Sequence, residues 1–128
     1  MSLIPKKGTV YVVDDDEAVR DGMRSLLAGW GAEVVACAGV ADVLSALDRL
    51  HRAPDMVIAD HQLQEGRRGT DVILGMRSHF RKQLPAIIIT GSASPLLTAT
   101  AESLGCRVML KPVMPAKLRS LLNATLQA

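Results

Sequence analysis

The chain has 128 residues, 48% hydrophobic and 22% charged, which is apolar enough for one packed domain and too apolar to stay disordered. Its 15 Lys and Arg against 13 Asp and Glu leave a net charge of +2, and its only aromatic residues are Tyr11, Trp30 and Phe80. That is neither a phosphate-tracking basic chain nor a base-stacking platform, so no direct contact with nucleic acid is expected.

Residues 1–8 read as an N-terminal extension or an expression remnant, and 9–126 as a single domain. Thr9-Val10-Tyr11-Val12-Val13 is a β-branched run stopping at Asp14-Asp15-Asp16, after which Val19, Met23, Leu26, Leu27 and Trp30 recur at helical spacing. Glu33-Val34-Val35-Ala36 is a second strand, followed by a helix patterned on Val43, Leu44, Leu47 and Leu50. Met56-Val57-Ile58-Ala59 is a third, ending at Asp60; beyond the polar loop Gln62 to Gly69, Thr70 is the expected cap of a helix carrying Val72, Ile73, Met76 and Phe80. Ala86-Ile87-Ile88-Ile89 is a fourth strand, ending at Thr90, and Ser94-Pro95 supplies the cap and first-turn proline of a helix with Leu97, Ala101 and Leu104, closed by Gly105. Val108-Met109-Leu110 is the fifth, ending at Lys111, and Pro115 opens a last helix striped by Leu118, Leu121, Leu122 and Leu126.

Most strands are continuously apolar rather than alternating, so the class is α/β with a parallel sheet covered on both faces. The helix-five pattern ends almost at the C-terminus, which leaves no room for a second domain in this chain. No apolar run approaches the roughly 20 residues of a membrane helix, and Cys37 and Cys106 lack CxxC spacing. The expectation is therefore a cytoplasmic chain without membrane insertion, its thiols reduced and buried.

In an open parallel sheet, ligands bind beyond the carboxyl ends of the strands. The residues that end the strands here are Asp14, Asp15, Asp60, Thr90 and Lys111. Carboxylates gathered in one cleft repel one another unless a hard divalent cation sits among them, and Mg²⁺ is the cofactor expected.

Over Thr9 to Leu122 the sequence resembles response-regulator receiver domains of two-component signalling. The matching pieces are Val12-Val13-Asp14-Asp15-Asp16, the strand-ending Asp60 with Leu63 and Gly66 behind it, Ile89-Thr90-Gly91, and Lys111-Pro112. The resemblance implies a flavodoxin-like (βα)5 sheet of order 2-1-3-4-5 and a cis Lys111-Pro112 bond. It implies that Asp60 is the phosphoacceptor, that Asp14 and Asp15 hold Mg²⁺ with Asp60 and the backbone carbonyl of Gln62, and that Thr90 and Lys111 contact the phosphoryl group. The partner it implies is a histidine kinase or histidine phosphotransfer domain, with a homodimer left open. On this reading the domain promotes phosphoryl transfer to its own Asp60, and Thr90 begins a two-state switch.

Other residues read more plainly. Asp16 is expected to cap the first helix, His61 and Ser92 to rim the site, His51 and His79 to be solvated, and Arg67-Arg68 to lie on a solvated loop. Family members that switch through the fifth strand carry Tyr or Phe where this chain has Val108, so the aromatic half of that coupling is missing. The loop Gln64 to Gly69 together with Leu110 to Leu118 looks like receivers at the end of hybrid sensor histidine kinases; a stand-alone regulator would read almost the same. A haloacid-dehalogenase-like phosphohydrolase would need Thr or Val at Ala18, and a dinucleotide module would need GxGxxG in the first loop. A pseudo-receiver would be expected to lack part of the acidic and lysine set.

Overall fold

The computed structural model describes residues 8–92 and 94–126, so the expected extension over residues 1–8 lies, but for Gly8, outside the described residues. The elements alternate along the chain: β1 (Thr9–Val13), α1 (Glu17–Gly29), β2 (Glu33–Cys37), α2 (Val40–Arg49), β3 (Met56–Asp60), a short 3-10 turn (Gln64–Gly66), α3 (Gly69–Phe80), β4 (Ala86–Thr90), α4 (Pro95–Ser103), β5 (Arg107–Leu110) and α5 (Pro115–Leu126). The five strands are all parallel, in the order β2-β1-β3-β4-β5.

The strands read as unbroken apolar runs because both faces of the sheet are buried. On one face Tyr11, Val13, Val57, Ala59 and Ile88 pack against Val43 and Leu47 of α2, Val72, Ile73 and Met76 of α3, and Ala101 of α4. On the other, Val10, Val12, Ile58, Ile87 and Ile89 meet Met23 and Leu27 of α1 and Leu118 and Leu122 of α5. Each fully buried isoleucine or leucine in these layers contributes roughly 1.5–3 kcal/mol relative to exposure. Cys37 and Cys106 are buried free thiols, as expected. Among the described residues no helix is long and apolar enough to cross a membrane.

Several local expectations are corrected. α2 ends at Arg49, so Leu50 lies past it, and Leu44 is 58% exposed; the stripe that packs is Val43, Ala46 and Leu47. Thr70 does not cap α3. The Gly69 N–H donates to the His61 carbonyl at 3.0 Å, which pins the chain two residues early, with Arg68 at the cap position; α3 starts at Gly69 and Thr70 is buried in its first turn. β2 and β5 each gain a residue beyond their apolar runs, because the ladders pair Val13 with Cys37 and Ile87 with Arg107. Trp30 follows α1 as its C-cap, and the Arg119 guanidinium of α5 stands 5.9 Å from its ring centroid. Ser94 caps α4 as expected, accepting from the Leu97 N–H at 3.0 Å, with Pro95 in the first turn.

Candidate functional site

Parallel strands deliver their last residues to one edge of the sheet. There Asp14, Asp15 and Asp60 each offer a carboxylate oxygen, and the three oxygens lie within 4.8 Å of one another. Asp14 is 2% exposed and Asp60 7%, while Asp15 faces solvent. Burial foremost pushes the Asp14 carboxyl above its ordinary range; Asp60 and Asp15 push the same way, against the Asp16 backbone N–H and Lys111. The donor set is all hard oxygen and carries more negative charge than one ammonium can offset, which fits Mg²⁺ and not a softer metal.

The β1–α1 loop that carries two of these acids is braced. The Asp14 N–H donates to the Cys37 carbonyl at 3.0 Å, the Asp16 N–H to Asp14 Oδ1 at 2.9 Å, and Arg20 Nη1 to the Asp14 backbone carbonyl at 2.8 Å. The Asp16 side chain turns away from the cluster and caps α1, accepting from the Ala18 and Val19 N–H groups at 2.9 and 3.3 Å. It acts as the cap expected of it.

Lys111 crosses from the end of β5 to the carboxylate edge, its Nζ 3.0 Å from Asp60 Oδ2. Partial burial pulls this ammonium down, but the hydrogen bond to Asp60 and the charges of Asp60, Asp14 and Asp15 outweigh it and leave Lys111 above its ordinary value. The bond to Pro112 is cis, and the Lys111 N–H donates to the Thr90 carbonyl at 2.7 Å. Thr90 is buried, but its hydroxyl turns to the loop beyond β4: it donates to the Ser92 carbonyl at 2.9 Å and accepts from the Ser92 N–H at 3.2 Å.

A pocket of about 430 Å³ opens beside Asp60, lined by His61, Gln62, Thr90, Gly91, Ser92, Ser94, Leu97 and Lys111. His61 and Ser92 thus stand at the rim; His61 Nδ1 is buried and has no hydrogen-bond partner among the described residues. The Gln62 N–H reaches Asp60 Oδ1 at a long 3.4 Å. Val108 sits apart, half-buried against the core on the α2–α3 face.

Two contributors went unnoticed in the sequence. Gly69 is one, because a β-carbon there would stand 2.3 Å from the Asp60 backbone oxygen. A glycine ending a loop gives no hint of what it will touch. Arg20 is the other: an arginine six residues after Asp14 is one turn into α1, where it can reach back to the loop.

Comparison with known proteins bears on this edge of the sheet. The family model for the response regulator receiver domain matches residues 10–123. Over 117 residues the chain is 22% identical to the phyllosphere-induced regulator PhyR of Methylorubrum extorquens, covering 91% of this chain and 43% of that protein. The chain therefore spans less than half of that relative's length. Among solved structures, a response regulator receiver domain protein from Clostridium thermocellum superimposes with a TM-score of 0.80 at 21% identity, over 94% of each chain. The Vibrio cholerae chemotaxis protein CheY4 gives 0.80 at 22% identity, over 93% of this chain and 98% of that one. Full-length FixJ from B. japonicum gives 0.77 at 28% identity, over 95% of this chain and 59% of FixJ.

Proposed function

Because this chain belongs to the response regulator receiver domain family, we propose that residues 9–126 form a phosphoacceptor unit that takes a phosphoryl group from a phosphohistidine onto Asp60. The observation that carries this reading is the pairing of Asp60 with Lys111 at 3.0 Å beside two further carboxylates within 4.8 Å. Asp14, Asp15 and Asp60, with the Gln62 carbonyl, would hold Mg²⁺, which when bound supplies positive charge toward the phosphoryl oxygens.

In the transfer, an Asp60 carboxylate oxygen forms a bond to phosphorus as the bond from phosphorus to the donor imidazole nitrogen breaks. The electron pair stays on the imidazole, and Asp60 becomes an acyl phosphate. Lys111 holds a carboxylate oxygen beforehand and is free to hold a phosphoryl oxygen afterwards, since a flexible ammonium follows charge over a short distance. Thr90 must give up both of its bonds to Ser92 for its hydroxyl to turn toward the new dianion. That exchange is the first movement of the proposed switch. With Val108 in β5 no aromatic ring follows it, so the signal leaves through the β4–α4 loop.

The donor is a histidine kinase or histidine phosphotransfer domain, and the setting is cytoplasmic. A hybrid-kinase context rests on the Gln64 to Gly69 loop and the Leu110 to Leu118 stretch alone. The relation to a protein named as a regulator favours a response regulator instead.

The test is intact mass after incubation with Mg²⁺ and acetyl phosphate, for the native chain and for Asp60→Asn. One phosphoryl adduct, absent from the variant, is expected. No adduct, together with no binding of beryllofluoride, would overturn the proposal.

A further inference from the structure

At the end of the sheet opposite Asp60, the α3–β4 and α4–β5 turns enclose a groove of about 730 Å³. Its cations are Arg77, Arg81 and Lys82, facing one carboxylate, Glu102, and the exposed Leu74. A second hollow of about 210 Å³ shares Arg77, Gln83 and Gly105 with it and adds Arg107.

Arg77 is fixed there. Its Nε and Nη2 donate to the Leu84 carbonyl at 3.1 and 2.8 Å, Nη1 donates to the Leu104 carbonyl, and Nη2 lies 3.7 Å from Cys106 Sγ. All of these partners are formally neutral acceptors, so the guanidinium's charge is left uncompensated. The only ion pair among the described residues is Lys111 with Asp60, so Arg81, Lys82 and Arg107 also have no carboxylate within 4.0 Å. The chain as a whole explains why: beyond Asp71 it carries seven Lys and Arg and a single acid, Glu102. Four of those seven cations, Arg77, Arg81, Lys82 and Arg107, line these two hollows.

We infer that this groove docks an acidic peptide segment of a partner protein. The fixed Arg77 supplies the field, Arg81 and Lys82 meet the carboxylates, and Leu74 receives an apolar side chain. Glu102 and Leu74 disfavour a nucleic-acid backbone, which offers neither an amide donor pattern for the carboxylate nor aliphatic side chains for the leucine.

The inference is tested by fluorescence anisotropy of the full chain with a short fluorescein-labelled peptide of repeating Glu-Glu-Leu. Arg81→Glu with Lys82→Glu should weaken binding roughly tenfold or more, and added salt should weaken it steeply. The neutral pair Arg81→Gln with Lys82→Gln should fall between. Charge reversal at the distant, exposed Arg24 and Lys117 should leave binding near that of the native chain. Equal weakening by that control, no binding at all, or tighter binding of a single-stranded oligonucleotide of equal charge would each overturn the inference.

Discussion

At the scale of single residues, Gly69 is where one methyl group would reach the main chain of Asp60. A β-carbon there would sit 2.3 Å from the Asp60 backbone oxygen and 3.0 Å from its carbonyl carbon, both rigid main-chain atoms. Gly69→Ala must therefore push the β3–α3 loop outward, at roughly 1–3 kcal/mol of stability. Urea unfolding should read that loss, and acetyl phosphate should label Asp60 more slowly; native-like values of both would show that the loop moves freely. Cys37 gives a second prediction. Burial, with Asp42 adding to it, pushes this thiol from its ordinary 9.0 to about 11. Between those values the unfolded chain releases the proton while the folded chain keeps it, so stability is complete below pH 9 and declines as pH rises toward 11. The decline attributable to this thiol is at most roughly 3 kcal/mol. Cys37→Ala should flatten the slope of stability against pH in that window, and an unchanged slope would count against a buried thiol. Burial of Cys37 was legible from its apolar neighbours; the approach at Gly69 was not, since it arises between residues nine apart, Asp60 and Gly69, that spacing does not relate.

At the scale of the element, Asp16 and Asp15 separate two uses of neighbouring carboxylates. Asp16 satisfies two N–H groups at the start of α1, so Asp16→Ala should cost about 1 kcal/mol while leaving the response to Mg²⁺ intact. Loss of that response would make Asp16 part of the metal set. The strands were readable because β-branched runs ended at polar residues, and their order followed from the family resemblance. Helix boundaries were less readable. Thr70 has the chemistry of a cap, but the bond from the Gly69 N–H to the His61 carbonyl starts α3 before it. Leu44 and Leu50 fit a helical period, yet α2 is only ten residues long and touches the sheet through a narrower stripe. Glu65 lies at φ 60, a left-handed turn that a non-glycine residue does not advertise.

At the scale of the whole molecule, the acidic edge stores repulsion that a bound cation would relieve. Adding Mg²⁺ should raise the melting temperature, since a ligand that binds only the folded chain stabilises it by mass action. Asp15→Asn should raise the melting temperature without Mg²⁺ and shrink the gain with it, as seen by calorimetry. A variant less stable than the native chain in chelator would mean that Asp15 is not under charge strain. The sequence pointed to Asp14, Asp15, Asp60, Thr90 and Lys111 as one cleft because a parallel sheet aligns strand ends. It did not disclose the basic groove at the other end, whose cations come from the last turn of α3 and the residues just after it rather than from the carboxyl ends of strands. The placement of Trp30 has a practical sequel. It is the only tryptophan, and it closes the far end of α1, a helix of 13 residues that spans about 20 Å from the acidic loop. Its emission should therefore track global unfolding and stay flat through a Mg²⁺ titration, giving this protein an intrinsic optical readout of folding kept separate from its chemistry.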